Sequence, residues 1–283
     1  MKITLHSVAE TLLITLYIRA KDAMAKHPIL NDQKSLAIVE QIEYDFDKFD
    51  NSEASFYATL ARIRVMDREI KKFIRENPNS HILSIGCGLD TRFERVDNGQ
   101  IRWYNLDLPE VMEIRKLFFE EHERVTNIAK SALDETWTRE VNPQNAPFLI
   151  VSEGVLMFLK EDDVETFLHI LTNSFSQFMA QFDLCQKEMI NKGKQHDTVK
   201  YMDTEFQFGI TDGHEIVDLD PKLKQINLIN FTDEMSKFEL GTLRSLLPTI
   251  RKFNNCLGVS IYIKRHSKCK FVIIVIAFVA LFI

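Results

Sequence analysis

Short apolar runs, each closing on a glycine turn or an acidic residue, constrain this chain more than any other feature. His81-Ile82-Leu83-Ser84-Ile85 runs into Gly86-Cys87-Gly88. Arg102-Trp103-Tyr104-Asn105-Leu106 ends at Asp107, and Pro147 to Ser152 ends at Glu153-Gly154. Runs this short read as buried strands, and a further strand is expected over Gln177–Phe182. Between them lie helical patterns from Pro109 through Phe119 and from Glu161 to Leu171. Proline suits the first turn of a helix, where its missing N–H costs nothing. Strands alternating with helices predict an α/β fold, a parallel sheet covered on both faces and doubly wound. Ligands in such sheets bind beyond the carboxyl ends of the strands. Gly86, Asp107 and Glu153 are therefore expected along one edge.

The flanking segments have a different texture. Residues 1–76 read as a helical cap, with an amphipathic N-terminal helix near Val8–Ile18, a short one over Ser35–Ile42 and a longer one over Phe56–Phe73. Leu60, Ile63, Met66, Ile70 and Phe73 make the apolar stripe of the last. Asn77-Pro78-Asn79-Ser80 stops it. Residues 77–265 form the expected core, with a helical or lid insertion near 186–210. Ile226–Phe231 and Val259–Ile263 are expected to be the final strands, joined through a helix at Leu240–Phe253 that Pro248 ends or kinks. In 266–283, the wholly apolar stretch Phe271–Ile283 is shorter than the roughly 20 residues of a transmembrane helix. Three readings stand for it: a buried terminal strand, a short membrane anchor, or a non-native tail.

Charge and cysteine usage narrow the function. A net charge of −6 lacks the basic excess that neutralises phosphates, so no nucleic-acid partner is expected. Cys87, Cys185, Cys256 and Cys269 form no CxxC pair, and the eight histidines form no HxxxH or HxH pair, so no metal site is expected. A cytoplasmic location is the expectation from these features.

The G-x-G after the first strand lets a ligand approach backbone where a Cβ would clash. Without a third glycine it departs from the dinucleotide fingerprint. An ordinary turn is the competing reading. Asp107 lies 19 residues after Gly88, where a carboxylate can accept from both hydroxyls of a ribose. The competing reading is a helix N-cap.

At these residues a resemblance becomes specific. Leu83 to Phe93 resembles the GxGLDTR signature of the leucine carboxyl methyltransferase family, which includes the tetracenomycin-type polyketide O-methyltransferases. Trp103 to Val111 resembles its DLPEV segment, and Ser152 to Leu159 its EGVLMYL segment. Phe206-Gln207-Phe208-Gly209 is similar to a further aromatic-glycine patch. The resemblance spans about residues 8–265. It implies a Rossmann-like, mostly parallel seven-stranded sheet and S-adenosyl-L-methionine as cofactor. It also implies roles. Arg62 grips the cofactor's methionine carboxylate, Gly86 and Gly88 form the cofactor loop, and Asp107 holds the ribose. Leu133 and Asp134 flank the adenine, and Glu153 lies beside the sulfonium. Blander readings remain for three: a solvated arginine, a helix-start aspartate and a structural glutamate. Arg19 is either a second basic contact or a surface charge. Cys87 replaces the commoner alanine, and Phe158 replaces a tyrosine, so a hydroxyl is absent there.

The implied activity is O-methyl transfer to a carboxylate or hydroxyl of a small molecule. No general base is assignable, since His196, His214 and Tyr201 read as surface residues of the lid. The alternatives are a non-catalytic binder of the same cofactor and a nicotinamide-dependent oxidoreductase.

Overall fold

A computed structural model describes residues 1–264. The apolar run Phe271–Ile283 lies outside the described residues. Three helices precede the sheet: α1 (Leu12–Ala23), α2 (Gln33–Val39) and α3 (Glu53–Glu76). The predicted stripe of α3 is buried throughout, Leu60, Ile63, Met66 and Ile70 at 0% exposure. There follow β1 (His81–Ile85), α4 (Arg92–Val96), β2 (Arg102–Asp107), α5 (Pro109–Arg115), β3 (Val125–Ala129) and β4 (Phe148–Ser152). Then come α6 (Glu161–Ser174), β5 (Gln177–Leu184), α7 (His214–Leu219), β6 (Lys224–Asn230), α8 (Thr232–Met235), α9 (Leu247–Ile250) and β7 (Cys256–Ile263).

The sheet has seven strands in the order β3-β2-β1-β4-β5-β7-β6. The first five positions pair in parallel, and β7 runs antiparallel to both β5 and β6. Strand order reverses between β1 and β4, which makes the switch point where such sheets hold ligands. Alternate side chains sort to the two faces. Ile82, Leu149 and Val151 pack with Leu60, Met66 and Ile70 of α3. Leu83, Ile85 and Ile150 pack on the other face with Val164, Phe167 and Leu171 of α6. Glu161, Asp162 and Asp163 stand in the first turn of α6, where the helix dipole favours negative charge.

Several expectations change. Strand β3 has no counterpart in the sequence reading: it is the sheet edge, and only Ile128 of its five residues is buried. The helix after Pro109 closes at Arg115, and Phe118 and Phe119 turn back onto the Arg115 carbonyl. The helix expected over Leu240–Phe253 is a 3-10 stretch, Gly241–Leu246, followed by the single turn of α9. Pro248 opens that turn instead of ending it. The connection 186–210 contains three 3-10 turns and no α-helix. Asp197 ties it down. Its carboxylate accepts from Ser55 N at 3.2 Å and from Ser55 Oγ, capping the start of α3, while Ser52 Oγ donates to the Asp197 carbonyl at 3.1 Å. Among the described residues no helix is long and apolar enough to cross a membrane.

Phe167 is fully buried and meets Phe182 edge-on at 5.9 Å, joining α6 to the sheet. Phe167→Ala is expected to cost about 3–5 kcal/mol. Urea unfolding should show a lower midpoint at an unchanged slope.

Candidate active site

Strand register builds the site. Ile85 of β1 stands opposite both Leu106 of β2 and Ser152 of β4, and Ser152 stands opposite Phe182 of β5. The next residue on each strand is Gly86, Asp107, Glu153 or Asp183, so these four share one rim. A cavity of about 320 Å³ opens there. That lies at the small end of the ~300–1,000 Å³ range of small-molecule sites. Arg62, Gly86, Gly88, Asp107, Leu133 and Glu153 line it, with Arg19, Arg92 and Phe158.

The glycine turn needs its glycines. Gly86 has φ +65°, and an added Cβ would stand 2.2 Å from Val155 Cγ2. Gly88 has φ +48°, and its N–H donates to Asp107 Oδ2 at 2.7 Å. Leu108 N donates to Oδ1 at 2.7 Å. The acid and the glycine turn are thus tied directly. Leu108 is the N-cap of α5, so the capping alternative for Asp107 does not hold. Burial raises the Asp107 carboxyl above its ordinary range, against the pull of these two N–H donors. Arg115 holds the turn from behind, with Nη1 at 2.9 Å from the Gly88 carbonyl and 3.0 Å from that of Asp90.

Beside the turn lies a buried lattice of charge. Arg62 donates from Nε to Glu153 Oε1 at 2.8 Å and from Nη1 to Asp183 Oδ2 at 3.1 Å. Among the described residues its Nη2 makes no hydrogen bond. Glu153 Oε2 accepts from Arg92 Nη2 at 2.5 Å, and Arg92 also holds Asp67 and Asp90. Burial alone would raise the Glu153 carboxyl, but Arg92 and Arg62 hold it below the usual carboxylate range. Asp183 is fully buried, accepts from Gly154 N at 3.0 Å and from Asn255 Nδ2 at 2.8 Å, and is raised by that burial.

Not every expected residue reaches the cavity. Asp134 is exposed and outside it, with its carboxylate on Thr136 N and Oγ1 at 3.0 and 2.7 Å. Arg19 is no surface charge. It is 3% exposed, bonded to Ser35 Oγ and the Leu89 carbonyl and paired with Asp32 at 3.2 Å. Burial pushes the Cys87 thiol far up, so it stays protonated. His214 and Tyr201 are exposed. His196 is only partly so, with its ring edge-on to Phe206, which stacks on Phe158.

Sequence reasoning missed Asp183 and assigned no role to Arg92. The signal for Asp183 was present, because it follows Phe182 as Asp107 follows Leu106.

The seven-stranded sheet and the rim site define a Rossmann-like protein of the methyltransferase fold. A profile of leucine carboxyl methyltransferases matches residues 13–172, and the chain belongs to that family. It is 36% identical over 191 residues to the S-adenosyl-L-methionine-dependent methyltransferase dpfgK of Gibberella zeae, covering 62% of this chain and 63% of that one. The chain thus spans just under two thirds of that relative's length. It is 30% identical over 209 residues to the tetracenomycin polyketide synthesis O-methyltransferase TcmP of Streptomyces glaucescens, covering 74% and 77%. Among solved structures it is similar to a protein of Thermobifida fusca assigned as a methyltransferase, with a TM-score of 0.58, 13% identity and coverage of 88% and 94%. A DUF574 family protein of Streptomyces avermitilis gives 0.56, 13%, 90% and 97%. These two likenesses concern the fold alone.

Gly86→Ala should combine left-handed strain of about 1–2 kcal/mol with the overlap on Val155. Gly154→Ala, at φ +69° with nothing within 4 Å of an added Cβ, should carry the strain alone. Thermal unfolding should rank Gly86→Ala below Gly154→Ala, and Val155→Ala should restore part of the difference.

Proposed function

We propose that this chain is an S-adenosyl-L-methionine-dependent O-methyltransferase acting on a carboxylate or hydroxyl of a small molecule. The observation that carries the reading is the Gly88–Asp107 bond at 2.7 Å, set in one cavity with Arg62. The names of the relatives dpfgK and TcmP support the same reaction class.

The residues fit an adenosine joined to an amino acid. The missing Cβ at Gly86 leaves backbone open to close approach. Each Asp107 oxygen accepts one backbone N–H and keeps a lone pair for a ribose hydroxyl. Arg62 would meet the methionine carboxylate through Nη2, oriented by Glu153 and Asp183. Leu133 flanks the adenine. Both bonds from Thr136 fall on Asp134 Oδ1, which leaves Oδ2 for the adenine edge. When bound, the cofactor supplies a methyl already activated on sulfur, with a thioether as leaving group. The chain's task is then to align the acceptor oxygen and exclude water.

Calorimetry should detect heat with S-adenosylhomocysteine and none with NAD, and tritiated methyl transfer into extract separates an enzyme from a binder. Arg62→Lys, which loses the planar fork, should weaken S-adenosylhomocysteine roughly tenfold. No heat for wild type would overturn the reading.

Asp107 binds hydroxyls best as a carboxylate, and its pKa is raised. Affinity should therefore fall with falling pH through a value above the ordinary ~3.9. Asp107→Asn should bind weakly and lose that limb.

A further inference from the structure

We infer that Asp183, held in place by Asn255, is the positioning residue for the amino-acid half of the cofactor. It acts through Arg62 and touches no ligand itself. This rests on the methyltransferase reading above.

Place comes first. Asp183 follows Phe182 on β5, in the acidic row of the rim. It is fully buried and lies behind the cavity lining to which Arg62, Glu153 and Gly154 belong. A carboxylate buried this deeply is costly unless donors meet both its oxygens. Three donors do. Oδ2 accepts from Arg62 Nη1 at 3.1 Å and from Gly154 N at 3.0 Å, and Oδ1 accepts from Asn255 Nδ2 at 2.8 Å. One oxygen therefore ties the arginine of α3 to the turn that follows β4.

Asn255 is itself fixed. Its carbonyl accepts from Phe231 N at 3.1 Å, where β6 ends and β7 begins. Its side-chain amide turns Nδ2 to the aspartate, because a carboxylate only accepts. The antiparallel strands thus reach the rim through one amide.

Two contacts fix an arginine where one would not. A planar guanidinium held at Nε alone can swing about that bond. Glu153 Oε1 holds Nε at 2.8 Å and Asp183 holds Nη1, so both plane and direction are set. The two carboxylates are not equivalent. Glu153 gives its other oxygen to Arg92 at 2.5 Å and stays anchored whatever Arg62 does. Burial raises the Asp183 carboxyl, and Arg62 is the cation that draws it back. Removing the charge of Asp183 leaves Glu153 in place and lets the guanidinium turn.

The effect is selective. A ligand carrying an amino-acid carboxylate gains from a fixed fork. An adenosine alone meets the glycine turn and Asp107, which hold each other without Asp183.

The test is calorimetry on the full chain with S-adenosylhomocysteine and 5′-methylthioadenosine, which keeps the adenosine and the thioether but has no amino acid. Wild type should bind S-adenosylhomocysteine roughly tenfold more tightly. Asp183→Asn should weaken S-adenosylhomocysteine roughly tenfold and leave 5′-methylthioadenosine unchanged. Asn255→Ala keeps the charge, removes one donor and should weaken S-adenosylhomocysteine about threefold, again alone. In an Arg62→Lys background, Asp183→Asn should add little, since the two side chains act as one unit. A merely structural role would lower both affinities together. Equal losses for the two ligands overturn the proposal. So does an unchanged S-adenosylhomocysteine affinity in Asp183→Asn, or a full further loss in the Arg62→Lys background. Should Asp183→Asn not fold, the ratio of the two affinities in Asn255→Ala decides, and an unchanged ratio overturns the proposal. Wild type that binds both ligands equally removes the role of Arg62 and the proposal with it. Wild type that binds neither is a separate result and overturns the methyltransferase reading itself.

Discussion

Glu153 is shared by two arginines from different parts of the chain. Arg62 reaches it from α3 and Arg92 from α4, and the carboxylate itself hangs from the end of β4. This one side chain sets the distance between the N-terminal helices and the sheet rim. Buried ion pairs contribute little net stability when complete, but breaking one side leaves an uncompensated charge at about 3–5 kcal/mol. The lattice around Glu153 extends through Asp67, Asp90 and Asp183, so each arginine answers to more than one carboxylate. The cavity wall is consequently rigid where a ligand's charged end would meet it.

Register does the rest. Because β1, β2, β4 and β5 end level with one another, a glycine and three acids arrive at one edge without any loop having to carry them. The Gly88–Asp107 bond locks the turn to the neighbouring strand. The geometry therefore belongs to the scaffold, which suits chemistry that depends on alignment.

The central strands were legible because each is an apolar run of buried residues, and the stripe of α3 because its period is helical. The rim followed from where those runs stop. Elements held by context were not legible. Strand β3 alternates too weakly at an open edge to show a period, and the 3-10 stretches near 193–201 and 241–246 carry no repeat of their own. Arg19 stayed open between a basic contact and a surface charge, because a sequence does not reveal Asp32 and the Leu89 carbonyl folding around it. Asp134 stands outside the cavity lining, with Oδ1 turned to the N–H and hydroxyl of its neighbour Thr136, a local bond that no pattern in the sequence announces.

Asp197 caps a helix to which it does not belong. The N-terminal N–H groups of α3 have no partner within their own helix, and its local N-cap, Ser52, gives its hydroxyl to the Asp197 carbonyl. Without the 186–210 connection seated on it, the first turn of α3 would lose the acceptor of its Ser55 N–H. Amide protection at Ser55 is thus a natural reporter of whether that connection is seated on α3, readable without any ligand present.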